Sequence, residues 1–267
     1  MPLLDSSWRL LKVWRANVRA GLVREMEFRA NFLLGVIRQF LWLAIFLFTI
    51  EVIFQNANSL AGWNKAQVLV ILALSRLIEG ILDIFLTRNI AEMPHLVQTG
   101  QFDFHLLKPV PAQFYSAFRK TNLYNIGNFT AGLILFAYAT TLIPHISSLQ
   151  WALFVIITIL GITIYYSLLI LVTSLVFFTE RLESLWGFLS LFTEPLTVPF
   201  DIFPRLPRVA LTYLLPIAFL VFVPTQALTG RLQLWQLPVA IAITAIFLLL
   251  ANLAWRAGLK RYSSASS

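Results

Sequence analysis

The sequence predicts an all-α integral membrane protein with six transmembrane helices, and three observations carry this prediction. Hydrophobic residues make up 59% of the 267 residues and charged residues only 12%, whereas soluble domains carry about a quarter charged residues. Apolar stretches long enough to span a bilayer recur along the chain. Basic residues gather near both ends, which places both termini in the cytoplasm by the positive-inside rule. The net charge of +8 therefore fits loops that face anionic lipids, and we expect no nucleic-acid partner.

The first predicted element is an amphipathic helix over residues 1–31 that lies on the cytoplasmic membrane surface. Apolar side chains recur near the helical period from Trp8 to Met26, while Arg9, Lys12 and Arg15 occupy other faces. A basic tail that only sets the topology is the alternative. The stretch lacks the short apolar core and small-residue cleavage site of a secretory signal peptide.

Seven apolar stretches follow, at residues 32–54, 66–86, 122–143, 151–178, 182–203, 209–228 and 236–255. Because both termini are expected on the same side, one of the seven does not cross. The weakest is 209–228, since Pro216 and Pro224 each remove a backbone donor and split the stretch into pieces too short to span. We predict a re-entrant helical pair there, packed against the other helices.

The chain is thus predicted to form a single transmembrane domain over residues 1–267, without internal repeats. Its predicted parts are the cytoplasmic helix 1–31, spans one and two at 32–86, an inner loop at 87–121, spans three to five at 122–203, an outer re-entrant segment at 204–235, span six at 236–255 and a cytoplasmic tail at 256–267. With this topology, and with the short loop 179–182 between spans four and five also inside, the inside segments hold 14 of the 20 Lys and Arg residues. Arg205, Arg208 and Arg231 of the outer segment fit it least well.

Span two carries three charges on one helix face, because Arg76, Glu79 and Asp83 are spaced at i, i+3 and i+7. Three central charges facing lipid would cost roughly 8–10 kcal/mol. The face should therefore point into the bundle, at a partner subunit or at water. It forms either a buried clamp in which Arg76 pairs with Glu79 or a substrate or proton path. Glu194 in span five is a further candidate pathway residue, or else a Glu satisfied by neighbouring helix ends.

Sets of residues that would indicate an enzyme are missing from the sequence. There is no phosphate-binding loop, no H-E-x-x-H helix and no G-x-S-x-G elbow. The chain has no cysteine, and its three histidines are not at metal-ligand spacing. We predict no catalytic residue and no metal site. Such a membrane protein runs downhill, couples to an ion gradient or uses a separate nucleotidase.

Two segments resemble a known family. The stretch GQFDFHLLKPV, residues 100–110, resembles the Gly-x-Leu/Phe-Asp-x-x-Leu-Leu-Arg/Lys-Pro signature in the cytoplasmic loop of bacterial ABC-2-type transporter permeases. Residues 199–231 resemble the outer segment of the same family, with paired prolines and a closing Gly-Arg, although TEPLTVPFD departs from its pattern before the first proline. The resemblance implies a half-transporter of the type V exporter kind in a bacterial plasma membrane. Two permeases, identical or sister chains, would then work with two separate ATPase subunits that bind ATP and Mg, so that this chain needs no cofactor.

The resemblance also implies that the polar segment 98–109 contacts the ATPase, and each residue type suits that role. Gly100 would permit a bend, Asp103 would cap a short helix, and Lys108 and Pro109 would end it. Three apolar side chains would then seat in a groove on the ATPase: Phe102, Leu106 and Leu107. The alternative function is an ion-coupled secondary transporter or channel that uses Arg76, Glu79 and Asp83. An intramembrane enzyme is disfavoured by the missing catalytic sets.

Overall fold

The computed structural model describes residues 29–179 and 194–262, together with Arg15, Val18, Arg19, Gly21 and Val23, which are all helical. In this part the chain forms helices joined by turns, and only an isolated bridge between Leu60 and Trp63 has β geometry. The predicted all-α class is therefore confirmed. Most of the predicted cytoplasmic helix 1–31 and of the predicted fifth span 182–203 lies outside the described residues.

In chain order the described α-helices are α1 (Arg29–Asn56), α2 (Lys65–Leu82), α3 (Arg88–Ala91), α4 (Met93–Gln98), α5 (Asp103–Leu106), α6 (Ala112–Phe118), α7 (Ile126–Thr141), α8 (Ser148–Ser174), α9 (Arg205–Val209), α10 (Phe222–Leu228) and α11 (Gln236–Arg261). Side chains fix where two of the long helices begin. Asn64 accepts a hydrogen bond from the Gln67 amide before α2, and Ser147 accepts one from the Gln150 amide before α8. In both helices the glutamine side chain accepts a hydrogen bond from the backbone amide of the capping residue. Two backbone amides that have no acceptor within the helix are thereby satisfied.

Three helices of the described part are long and apolar enough to cross a membrane: α1, α8 with its 3₁₀ extension to Phe177, and α11. They correspond to predicted spans one, four and six. Predicted span two is α2, which carries Arg76 and Glu79 and continues through a π-helical turn, Asp83–Thr87, into α3. Predicted span three is α7, whose 16 residues are fewer than the roughly 20 that a span needs. The six-span count stays a prediction.

The predicted re-entrant segment is a bent pair of helical pieces. The pieces Arg205–Leu214 and Ile217–Leu228 meet at an angle of 75°, and Pro216 lies in the break, as predicted. Pro224 lies in the first turn of α10, directly after a turn at Leu220 and Val221 that separates α10 from the 3₁₀ turn Ile217–Phe219, and its part in breaking the segment stays a prediction. The first backbone amides of a helix have no intrahelical acceptor, so proline removes no hydrogen bond there.

Small residues let the long helices approach closely. A Cβ on Gly80 would lie 2.5 Å from the Phe129 amide nitrogen, and a Cβ on Gly132 would lie 2.4 Å from that of Leu77. Helices α2 and α7 therefore pack backbone against backbone, as helices in lipid commonly do. Gly161, at the middle of α8, contacts the second piece of the helical pair in the same way, with Phe219 O 2.0 Å from an added Cβ.

The connections between helices collect at two ends of the bundle. At one end the indole of Trp63 donates to Asp201 at 2.8 Å, and Arg231 lies over its ring. At the other end the ring of Phe102, in the 87–121 loop, contacts residues at the ends of α8 and α11. The predicted outer connections thus meet each other, and the predicted inner loop meets helix ends that were also predicted to be inside.

Candidate functional site

The segment 98–109 consists of the end of α4, a tight turn and the short helix α5. Helix α4 ends at Gln98, and Gly100 has a φ of 71°, a left-handed conformation that glycine adopts without strain. The amide of Phe102 then donates to Leu96 O at 3.0 Å, which folds the segment back on α4 before α5 begins. Gly100 therefore makes the bend that the sequence predicts.

Phe102 lies inside the protein, and the prediction that it is exposed for an ATPase is wrong. Its side chain is 0% exposed, and its ring centroid lies 5.3 Å from that of Phe177, 6.1 Å from that of Trp255 and 5.2 Å from that of Tyr262. The turn at Gly100 points this ring at the bundle, where leaving water is favourable. We call Phe102, Phe177, Trp255 and Tyr262 the aromatic cluster.

Asp103 also differs from its predicted role as a helix cap. It is the first residue of α5, which has no side-chain cap, and its carboxylate accepts a hydrogen bond from the Tyr262 hydroxyl at 2.9 Å. Tyr262 directly follows α11. The aromatic cluster and this hydrogen bond together tie segment 98–109 to the ends of α8 and α11.

The outer face of the segment is apolar and exposed. Leu107 is 79% exposed, Phe104 66% and Leu106 44%; we call these three residues the apolar patch. Leu106 and Leu107 are exposed as predicted, whereas Phe104 was missed. The helical period could have predicted that Phe104 is exposed. Phe102 and His105 share a buried face at i, i+3, whereas Phe104 and Leu107 share the opposite face. Lys108 lies beside the patch, with its ammonium 5.9 Å from the Tyr115 ring centroid, and Pro109 follows in the turn that leads to α6.

His105 supports the patch from beneath. It is buried, its Nδ1 lies 2.8 Å from the Ser116 hydroxyl, and its ring packs edge-on against Tyr115. Burial, followed by the positive charges of Arg119 and Lys108, lowers the pKa of His105 to about 4. The imidazole is therefore neutral at pH 7.

Acidification should loosen segment 98–109. The unfolded segment binds a proton below the ordinary histidine pKa of 6.5, whereas the folded one resists it down to about 4. Stability that is present above pH 6.5 is therefore lost as the pH falls towards 4. We expect hydrogen exchange of the 100–108 amides, corrected for intrinsic rates, to quicken about tenfold between pH 7 and pH 5. His105→Gln should remove this dependence and His95→Gln, at an exposed position of α4, should keep it; equal behaviour of the two variants would refute the account.

The carboxylate of Glu92 holds the two ends of the 87–121 loop together, and we call its contacts with Arg88, Arg119 and Lys120 the Glu92 clamp. Glu92 accepts from Lys120 Nζ at 2.8 Å and from Arg119, and Arg88 lies 3.8 Å away. Burial alone would raise the pKa of Glu92, but the Lys120 hydrogen bond and the three positive charges outweigh it and hold the pKa below its usual value. The side-chain amide of Asn89 adds bonds to the backbone near α6. The two ends of the 87–121 loop are thus fastened together where they join α2 and α7.

The three predicted charges of span two divide into two groups. Arg76 and Glu79 form an ion pair at 3.0 Å, which confirms the predicted pairing. Asp83 lies one turn further on, at the start of the π-helical turn, and accepts from the Asn125 amide at 3.0 Å. Asn125 in turn accepts from Gln39 of α1 at 3.3 Å. A hydrogen-bonded chain therefore links α1, the residue before α7 and the end of α2.

An open cavity of about 360 Å³ adjoins the ion pair. Helix α1 contributes Arg38, Gln39, Trp42 and Phe46, and α2 contributes Arg76 and Glu79. Thr197 lines it as well and is the last residue of the 3₁₀ turn that begins at Glu194. The role of Glu194 as a pathway residue stays a prediction. Sequence reasoning gave Arg38 no function, because a position two turns into a span is also typical of an arginine that reaches back to the headgroups.

Loss of Arg76 should destabilise the bundle. Arg76→Leu removes the ion-pair partner of the partly buried Glu79 carboxylate, which costs roughly 1–3 kcal/mol, so we expect a lower folded yield and a lower midpoint of thermal unfolding in detergent. Adding Glu79→Gln should restore both, since a neutral amide needs no counter-charge. An unchanged midpoint in the single variant would refute the stabilising role of the pair.

These features define a class of protein: a helical integral membrane protein with an apolar, exposed element at one end of its bundle. The model of the family described as ABC-2 family transporter protein matches residues 40–266. The chain belongs to this family, whose members are membrane components of ABC transporters that generally work with ABC ATPase subunits and are not themselves catalytic. No curated protein and no solved structure matched the chain.

Proposed function

We propose that this chain is the membrane-spanning permease subunit of an ATP-driven exporter in a bacterial plasma membrane. It would cross the membrane six times with both termini in the cytoplasm and form half of the translocation pathway. A second permease, identical or a sister chain, would supply the other half. ATP and Mg would be bound and used by separate ATPase subunits, and this chain would hold no metal or cofactor of its own.

The apolar patch is the observation that carries the proposal. Phe104 and Leu107 present a helix face that is unusual in water unless a partner covers it. Apolar side chains on a short helix suit a groove in another protein, and buried aromatic side chains commonly anchor such contacts. The stretch that resembles the cytoplasmic-loop signature of the family, residues 100–110, lies at the same place. Within segment 98–109, Gly100, Phe102 and Asp103 would position the patch, while Leu106, Leu107 and Lys108 would contact the ATPase and Pro109 would end the element.

The contacts beneath the apolar patch suggest how a displacement of segment 98–109 would be transmitted to the membrane helices. Phe102 and Asp103 touch residues at the ends of α8 and α11, and the Glu92 clamp joins the loop to α2 and α7. A displacement of the patch by the closing ATPase dimer would therefore act on four membrane helices together. Such rigid-body movement of packed elements is a common way to switch between inward-open and outward-open states.

We further propose that the bent pair is re-entrant. Asp201, before the pair, accepts from the Trp63 indole, and Arg231, after it, donates to the Gly62 carbonyl at 2.6 Å. Both ends of the pair thus lie beside one loop, while Phe219, shortly after the bend, contacts Gly161, about 20 Å along α8 from Ser148. A segment that enters and leaves at one end of the bundle does not cross it.

The ion-coupled alternative has less support. Arg76 is paired with Glu79, whereas Asp83 is bonded to Asn125, so the three charges are divided between local partners. The family also consists of components of ATP-driven transporters.

Purification of the native particle tests the proposed function. The chain should be affinity-purified from membranes in mild detergent, and its co-purifying chains identified by mass spectrometry. We expect an ATPase with a phosphate-binding loop and a second permease, together with ATP hydrolysis by the particle. A particle that lacks an ATPase and transports only along an ion gradient would overturn the proposal in favour of the alternative.

A further inference from the structure

We infer that the cavity between α1 and α2 binds the phosphate of an anionic amphiphile, such as a lipid with one net negative charge. The inference names a substrate class and rests on the proposed function only in so far as the bound amphiphile would be cargo. Binding itself requires neither ATPase nor transport.

Among the described residues that line the cavity, positive charge is in excess. Two guanidinium groups, those of Arg38 and Arg76, stand against the carboxylate of Glu79 in this part of the chain. Glu79 is already paired with Arg76 at 3.0 Å. Within the described part of the chain Arg38 has no carboxylate partner, and its guanidinium lies 5.3 Å from the centroid of the Tyr124 ring. A group with one negative charge would neutralise the site.

The donors match an oxyanion. Guanidinium groups present forked N–H donors that fit the oxygens of phosphate. The Arg76 Nε is buried and has no acceptor among the described residues, which is an unfavourable state for a charged donor. Arg76 is held in place by Phe46, over whose ring its guanidinium lies at 5.3 Å. The site therefore offers ordered, incompletely used donors.

The walls and the depth of the cavity favour an amphiphile over a free anion. Trp42 lines the cavity and is 53% exposed, so an apolar chain could lie along it while the phosphate meets the arginines. Arg38 lies six residues into the predicted first span, about 9 Å from its start. With the proposed topology that depth lies just beneath the headgroups of the inner leaflet, where a lipid can enter sideways.

Lipid retention by the purified full-length chain tests the inference. The protein, in detergent with equal amounts of phosphatidylglycerol and phosphatidylcholine, is analysed by native mass spectrometry for bound lipid. Both lipids carry a phosphate, but only phosphatidylglycerol has a net negative charge. We expect preferential retention of phosphatidylglycerol and a loss of about tenfold in its affinity with Arg38→Gln, the usual size of one lost charged hydrogen bond. Arg256→Gln, which removes the same charge from an exposed position on α11, should change nothing.

Further experiments distinguish a bound lipid from a free phosphate ion and from a partner subunit as the occupant of the cavity. Millimolar inorganic phosphate should not displace the lipid; displacement would assign the site to a free anion and overturn the inference. Because Arg76→Gln alone could misfold, Arg76→Gln with Glu79→Gln provides a second variant, which should also lose the lipid preference.

Equal losses of lipid affinity with Arg38→Gln and Arg256→Gln would overturn the inference. The inference would also be overturned if the protein showed no lipid preference and Arg38→Gln dissociated a permease dimer. That result would show that a partner subunit, and not a lipid, fills the cavity. Loss of lipid binding in a particle that keeps its ATPase would refute this inference alone, whereas lipid binding without any ATPase would refute the proposed function alone.

Discussion

Replacing Phe104 and Leu107 together by Asp should abolish the stimulation of ATP hydrolysis in the assembled transporter while leaving membrane insertion intact. Both side chains are exposed in the isolated chain, so the change costs the fold little, because surface substitutions usually alter stability by less than about 0.5 kcal/mol. In the complex the two carboxylates would be buried against an apolar groove without partners, which is strongly unfavourable. We expect hydrolysis to fall to the rate of the ATPase subunits alone, measured by phosphate release from the reconstituted complex.

The chain offers a closely matched control for this experiment. Leu234 is 78% exposed, against 79% for Leu107, but it lies just before α11, at the opposite end of the bundle. Leu234→Asp should therefore leave stimulated hydrolysis unchanged. Normal stimulation in the double variant, or an equal loss in both proteins, would show that the apolar patch does not contact the ATPase.

Phe102→Ala should cause the largest loss of stability among single truncations in the 87–121 loop. The ring is fully buried in the aromatic cluster, and truncating a buried phenylalanine to alanine typically costs about 3–5 kcal/mol. Release of the ring also frees segment 98–109 from α8 and α11. We expect a much lower thermal midpoint in detergent and loss of coupling in the reconstituted complex.

Phe104→Ala provides the comparison, since it removes the same atoms two residues away from an exposed position. It should leave the thermal midpoint almost unchanged and weaken coupling only through the patch. Phe102→Leu, which keeps most of the apolar volume, should recover much of the stability. Similar midpoints for Phe102→Ala and Phe104→Ala would show that the cluster does not hold the segment.

Much of the architecture is determined by local patterns, and those parts could be predicted. Runs of apolar residues gave the long helices, Pro216 gave the break in the bent pair, and spacing at i, i+3 gave the pairing of Arg76 with Glu79. Each of these features depends on residues within a few turns of one another, so that the period of the helix or the geometry of proline decides it.

Features that depend on distant residues could not be predicted in this way. The direction of Phe102 is set by Phe177, Trp255 and Tyr262, which are 75 to 160 residues away in the sequence. The Glu92 clamp and the Asp103 contact with Tyr262 likewise join separate helices. Arg38 acquires a role only when α2 is placed beside it.

Labelling of single cysteines tests most directly whether segment 98–109 meets an ATPase on the cytoplasmic side. The chain has no cysteine, so Leu107→Cys and Leu234→Cys each provide a unique thiol without any background. In intact cells a membrane-impermeant maleimide should label Leu234→Cys and leave Leu107→Cys unmodified, and in membranes a short thiol-reactive photo-crosslinker on Leu107→Cys should capture the ATPase subunit. Labelling of Leu107→Cys from outside the cell, or capture of the ATPase by Leu234→Cys and not by Leu107→Cys, would contradict the account.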